Sequence, residues 1–259
     1  MATGVETSET GDAVGIENGK GASPFLIVCE HASNFIHASL GALGLNAGDL
    51  SRHIAWDPGA LPVSRGLSKA LDATLVFSRV SRLVIDCNRP ADAADLIPDI
   101  SETTEIPGNR GLSPDQRAER IAMSHAPFHA ALDRLIEDRM DRGQETAIVT
   151  IHSFTPVYKG LTRPWQVGII HDEDDRLAKP MIARLRAAGG LTVGVNEPYS
   201  PADSVYYTLE RHARPRGLAC AMVEIRNDEI SDEAGQQKWV DRLAAILNPL
   251  GAFEPMGAA

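Results

Sequence analysis

Cysteine is scarce in this chain. Cys29, Cys87 and Cys220 are the only three in 259 residues. They are far apart and odd in number, which excludes a disulfide framework and a Cys-x-x-Cys metal site and predicts a reducing, cytoplasmic setting. Excess positive charge is missing too. With a formal net charge of -10, the chain lacks the basic face that neutralises phosphates in a nucleic-acid binder. An anionic substrate therefore needs a local arginine cluster to overcome that background. No stretch approaches the roughly 18 to 20 apolar residues of a membrane-spanning helix. Residues 1–22, rich in Gly, Thr and Glu, have no basic start followed by an apolar run, so they are expected to be a disordered lead-in and not a signal peptide. No Gly-x-Gly-x-x-Gly or Walker loop follows the first predicted strand, which argues against a nucleotide-binding domain.

What is present is ordinary globular usage, 43% hydrophobic and 23% charged, in a length that suits one large core. A single domain over residues 23–259 is expected. The stretch Phe25-Leu-Ile-Val-Cys-Glu-His-Ala-Ser-Asn34 organises the rest. An apolar run of this length reads as a strand covered on both faces. It ends abruptly in Glu30, His31 and Asn34, where α/β sheets place their ligands.

Further along, the breaker Pro58-Gly59 precedes helical spacing over 60–71, so Asp57 is either that helix's N-cap or a functional carboxylate. Strands are expected over 73–77 and 82–86, the second running into Asp86-Cys-Asn-Arg-Pro90. Residues 91–111 read as a long loop that holds Asn109 and Arg110. Ser113-Pro114 opens a helix that continues over 118–142 and is kinked or divided by Pro127. His125 and His129 lie four apart on it, but without the intervening Glu of a zinc-protease motif they read as histidines of an amphipathic helix. Strands follow over 146–151, 165–170, 191–195 and 218–223, with helices over 174–188, 205–213 and 231–247. This alternation predicts an α/β fold: a mixed, largely parallel sheet with helices on both faces, in three layers. In such a fold several strand ends converge. Here they carry His31, Asn88 with Arg89, His152 and Glu224, a set containing metal ligands, a carboxylate binder and a general base. Glu224 and Arg226 are two apart on one strand face, so a plain salt bridge between them remains an alternative.

A resemblance joins these segments. Ile151-His-Ser-Phe154 looks like the strand-end segment of zinc carboxypeptidases in which the histidine binds zinc, and Val223-Glu-Ile-Arg226 looks like the segment bearing their catalytic glutamate. Asp86-x-Asn88-Arg89 is similar to the motif with which aspartoacylases and succinylglutamate desuccinylases grip a substrate carboxylate. The fullest likeness is to the N-formylglutamate amidohydrolase family, through Cys29-Glu-His-Ala-Ser-Asn34, Trp56-Asp57-x-Gly59, Ser81 to Arg89, Ile106-Pro-Gly-Asn109 and Glu224 to Asp228.

The resemblance implies amide hydrolysis at one zinc ion. His31 and His152 would be ligands and Glu224 the general base and acid. Arg226 would stabilise the oxyanion, Arg89 with Asn88 would bind a glutamate carboxylate, and Arg82 or Arg110 would bind the second. Where the carboxypeptidases place a ligand Glu, this chain has Asn34, whose amide oxygen is a poor zinc donor. Asp57 is the expected third ligand, with Glu30 and His53 as rivals. Expected partners are a small anionic N-acyl amino acid and a second copy of the chain in a homodimer. The alternatives are another zinc acylase or peptidase on the same scaffold, and a metal-free carboxylate-binding homologue.

Overall fold

The structure is a computed structural model and describes residues 13–250. Its strands are β1 (Val14–Glu17), β2 (Phe25–Cys29), β3 (Thr74–Ser78), β4 (Ile100–Ser101), β5 (Thr104–Glu105), β6 (Ala147–Phe154), β7 (Val157–Tyr158), β8 (Leu161–Thr162), β9 (Val167–Ile170), β10 (Val193–Val195) and β11 (Cys220–Arg226). The helices are α1 (Ala47–Ser51), α2 (Ala60–Leu71), α3 (Pro114–Arg120), α4 (Ala126–Asp141), α5 (Ala178–Ala187), α6 (Tyr207–His212) and α7 (Glu233–Leu247).

Seven strands form one sheet in the order β1-β3-β2-β6-β11-β9-β10. Strands β3, β2, β6 and β11 run parallel, while β1 and the β9–β10 pair run against them. All five residues of β2 and all eight of β6 are buried, as strands covered by helices on both sides must be. One face packs on α2, α5 and α7 through residues such as Val63, Met181 and Trp239. The other packs on α4 and α6 through Phe128, Leu132 and Leu209. The three-layer α/β architecture expected from the alternation of elements is therefore the one adopted. Among the described residues no helix is long and apolar enough to cross a membrane, and the three cysteines are free and buried.

Two local expectations are corrected. Residues 14–17, assigned to a disordered lead-in, form edge strand β1, which pairs antiparallel with β3 from Val14 opposite Ser78 to Glu17 opposite Leu75; residues 1–12 of that lead-in lie outside the described residues. The strand expected over 82–86 does not form. Ser81 Oγ accepts from Leu83 N at 3.2 Å and donates to Ala55 O at 2.8 Å, closing a turn. Its apolar run, Leu83, Val84 and Ile85, fills a satellite core under the 91–111 loop instead of joining the sheet. The division of the long helix expected at Pro127 is present: a π-helical segment, Ile121–His125, lies just ahead of the proline, where the missing proline N–H disturbs the helical ladder.

Helix α2 begins at a left-handed glycine. Gly59 has φ 82°, and a Cβ there would sit 2.4 Å from the backbone oxygen of Ile230. Gly59→Ala is therefore expected to cost about 1–3 kcal/mol, read as a lowered urea midpoint. An unchanged midpoint would mean that this turn relaxes freely.

Candidate metal centre and active site

On the α4/α6 face of the sheet, apolar side chains recur with the strand period of two: Leu26 and Val28, Ile148, and Cys220 and Met222. Each row becomes polar at its end. The next positions are Glu30 on the first row, Thr150 and then His152 on the second, and Glu224 on the third; Glu30, His152 and Glu224 are exposed by only 1%, 2% and 4%, and Glu224 is the register partner of His152. His31 follows on the turn after β2. Asp57 arrives from the segment before α2, tied by its backbone N–H to His31 O at 2.9 Å. It does not cap the helix, since Gly59 occupies that position. Its carboxylate turns inward and accepts from Ser153 N at 3.3 Å.

The two histidines are placed alike. His31 Nδ1 lies 3.3 Å, and His152 Nδ1 3.0 Å, from the same oxygen, Asp57 Oδ2. Behind each ring, Nε2 faces a buried carboxylate: Asp86 Oδ1 at 2.7 Å for His31 and Glu30 Oε2 at 3.1 Å for His152. Carboxylates in that position fix the orientation and raise the basicity of metal-binding histidines. One donor atom each from His31, Asp57 and His152 lie within 4.8 Å of one another. Donors on a tetrahedron with bonds of about 2.1 Å are roughly 3.4 Å apart, close to the two separations found. Two imidazoles and a carboxylate suit zinc and leave a fourth position open.

The charge balance points the same way. Glu30, Asp57, Asp86 and Glu224 are all buried. Their neighbouring guanidinium is Arg82, which donates to Asp86 Oδ2 at 2.8 Å and lies 3.6 Å from Asp57 Oδ1. Buried negative charge in surplus requires protons or a bound cation. Burial opposes ionisation of Asp57, Asp86 and Glu30. The adjacent imidazoles, and Arg82 beside Asp86, outweigh it and hold all three carboxyls below their ordinary range. His152 is held well above its usual value because Glu30 and Asp57 overcome the effect of burial. Glu224 behaves differently. Burial, opposed in part by the charge of His152, pushes its carboxyl up to about 7, and its Oε2 has no hydrogen-bond partner.

A cavity of about 170 Å³ opens onto this cluster and is lined by His31, Asp57, His152, Glu224, Arg82, Asn88 and Arg89, with Glu102, Tyr158 and Tyr199 further along its walls. Other candidates fall elsewhere. His53 lines the cavity near Glu102, at 3.4 Å. Asn34 is turned outward and donates to Leu50 O at 2.9 Å. Arg110 is exposed and paired with Glu105. Arg226 donates to Asp228 and to the carbonyls of residues 163–165, so the structure does not bring it to the cavity; its place beside the centre is taken by Arg82. Asn88 spends its amide on α6 and the segment before it, donating to Val205 O and accepting from Thr208 N. It fixes the segment and leaves Arg89, held by Asp95 at 2.8 Å, at the cavity wall. His125 and His129 lie apart from the centre, packed with His212 in a buried histidine stack. Sequence reasoning gave no role to Asp86, Tyr158, Arg163 or Tyr199. Only Asp86 carried a signal, as the first member of the Asp-x-Asn-Arg segment.

A family model for N-formylglutamate amidohydrolase matches residues 23–231, a span that contains every residue of the cluster. The chain belongs to the N-formylglutamate amidohydrolase family. Two solved structures are similar to it. A gene product of Agrobacterium tumefaciens is 47% identical, with a TM-score of 0.91 over 93% of this chain and 95% of that one. An N-formylglutamate amidohydrolase from Ralstonia eutropha, 18% identical, shares the fold with a TM-score of 0.70 over 92% of this chain and 97% of that one. No match was found among curated proteins.

Elemental analysis of the purified protein is expected to find about one divalent metal per chain. Asp57→Ala should abolish tight retention, and Glu30→Gln should weaken it roughly 10- to 100-fold, as loss of an orienting carboxylate does. Asn34→Ala should leave it unchanged. Full retention by Asp57→Ala would remove Asp57 from the ligand set.

Proposed function

We propose that the chain is a zinc-dependent amidohydrolase that cleaves an N-formyl or N-acyl amino acid, first among them N-formyl-L-glutamate, to formate and L-glutamate. The observation that carries this reading is the position of Glu224: a buried carboxyl poised near neutrality, one strand across from His152, in the same cavity as the His31–Asp57–His152 trio. Zinc held by His31, Asp57 and His152 supplies, when bound, Lewis-acid polarisation of a carbonyl and a water acidic enough to be deprotonated at neutral pH.

The remaining steps belong to the protein's own side chains. Glu224 accepts the proton of the attacking water and returns it to the departing amine, and its free Oε2 is the natural atom to hold it. Arg82 brings positive charge to the developing oxyanion. Arg89, oriented by Asp95 and by the carbonyl of Asn88 at 3.0 Å, binds a substrate carboxylate through charge-assisted hydrogen bonds. The small cavity suits an amino-acid derivative and not a polypeptide. A metal-free homologue was suggested by Asn34 alone, and that residue lies outside the centre.

The decisive variant is Glu224→Gln. With zinc content and melting temperature unchanged, its kcat on N-formyl-L-glutamate should fall roughly 10²- to 10⁴-fold; turnover near the wild-type level would exclude Glu224 as the base. The pH profile carries the same information. A base must be ionised to accept a proton, so a carboxyl that burial pushes up to about 7 in the metal-free protein places an acid limb in kcat/KM as pH drops, and a cation bound beside it draws that limb to lower pH. That limb should vanish in the residual activity of Glu224→Gln. Arg89→Ala should lower kcat/KM about 10- to 100-fold, the worth of a hydrogen bond to a charged group. An uncharged N-formyl amine should be hydrolysed equally well by both proteins, and an equal loss on that substrate would assign Arg89 to the fold instead.

A further inference from the structure

An N-formylated dicarboxylic amino acid carries two negative charges, and Arg89 answers one. Arg82 is committed to Asp86 and Asp57, and Arg110 is on the surface. The second carboxylate therefore lacks a partner among the arginines that sequence reasoning singled out.

Arg163, on the segment after hairpin β7–β8, is 8% exposed. Its guanidinium lies 4.6 Å from the ring centroid of Tyr158, 4.7 Å from that of Tyr199 and 5.8 Å from that of Phe154. Nη1 donates to Tyr199 Oη at 3.0 Å. Among the described residues no carboxylate pairs with it, whereas Arg82 and Arg89 in the cavity wall each have one. A nearly buried cation without an anion, in a chain of net charge -10, is a charge whose partner comes from outside. Its position is firmly set: Arg163 N donates to Pro156 O at 2.8 Å, and its carbonyl accepts from Arg226 at 3.4 Å.

Tyr199 and Tyr158 line the cavity that holds the His31–Asp57–His152 trio. Because Arg163 donates into the phenol oxygen, the hydroxyl hydrogen of Tyr199 is left for another acceptor. Burial, and then the charge of Glu224, push that phenol up, so the hydrogen is present at neutral pH.

We propose that Tyr199, polarised by Arg163, is the second carboxylate-recognition point of the cavity. Its hydroxyl donates to one carboxylate oxygen of a dicarboxylic substrate while Arg163 supplies the countercharge from behind. The site then selects N-acyl amino acids with an acidic side chain over neutral ones. Tyr199 touches the substrate and Arg163 is a positioning residue. This assignment rests on the proposed amidohydrolase reading, and its test is chosen to separate the two.

The first measurement is calorimetric titration of the metal-loaded protein with glutarate, which needs no turnover. Tyr199→Phe and Arg163→Gln are expected to raise the Kd at least tenfold, and Arg163→Lys, which keeps the charge, to recover most of the loss. Steady-state kinetics supply the second. In Tyr199→Phe, KM should rise at least tenfold for N-formyl-L-glutamate and less than threefold for N-formyl-L-glutamine, with kcat within threefold for both. Unaltered glutarate binding by Tyr199→Phe, or no binding by the wild type, overturns the assignment whatever the turnover. A kcat loss shared by both amides also overturns it, since Tyr199 would then act at the reacting centre. If the arginine variants fail to fold, Tyr199→Phe decides alone. Selective loss of glutarate binding in a protein that hydrolyses neither amide would uphold this assignment and discard the amidohydrolase reading.

Discussion

One oxygen atom organises the active-site region. Asp57 Oδ2 receives His31 Nδ1, His152 Nδ1 and the backbone N–H of Ser153, and so joins the turn after β2, the end of β6 and the start of α2 at a single point. The arrangement is electrostatically costly, because Glu30, Asp86 and Glu224 are buried close by. In the absence of a cation the compensation falls on protons, with opposite consequences at the two ends of the pH scale. Asp57, Asp86 and Glu30, with lowered folded values, stabilise above their unfolded values near 4, and that contribution is lost as pH falls. His152 and Glu224, with raised folded values, stabilise below their unfolded values, and that contribution is lost as pH rises. A cation bound among the same groups relieves the repulsion at neutral pH. A cation that bound only the assembled site would add its affinity to the stability of the fold.

Much of this was legible in the sequence because strand periodicity and strand endings are local properties. β2 is an apolar run followed directly by Glu30 and His31, while β6 and β11 carry His152 and Glu224 two residues before their ends, and in parallel neighbours these ends lie side by side. His31, His152 and Glu224 could therefore be placed together from the sequence. Asp57 was harder. Its segment allowed an N-cap or a ligand; Gly59, whose left-handed backbone starts the helix two residues later, takes the cap position, and the carboxylate faces His31 and His152 instead. Arg226 failed for a related reason. Face alternation carries it only as far as the sheet, and at the end of β11 it finds three carbonyls to bind. Arg163 and Tyr199 had no signal at all, since their contact spans 36 residues and depends on how a hairpin folds over the cavity.

The missed strand over 82–86 is instructive, because the segment that replaces it has another use for its polar groups. In a strand the backbone would be paired and alternate side chains would face opposite sides. Here a turn lets four consecutive residues, 86–89, reach four different parts of the protein. Asp86 holds His31 and Arg82. Cys87 meets Ser124 at 3.7 Å. Asn88 binds the start of α6. Arg89 takes Asp95 through its side chain, and its carbonyl meets His125 Nε2 at 2.9 Å. Behind His125 lie His129 and His212, whose hydrogen-bonded rings lead to Asp133 at the edge of α4. Burial pushes these two imidazoles down to about 2 and about 4, so both are neutral at physiological pH and act as fixed spacers. The carboxylate that faces His31 and the arginine at the cavity wall are thus three residues apart on one braced turn.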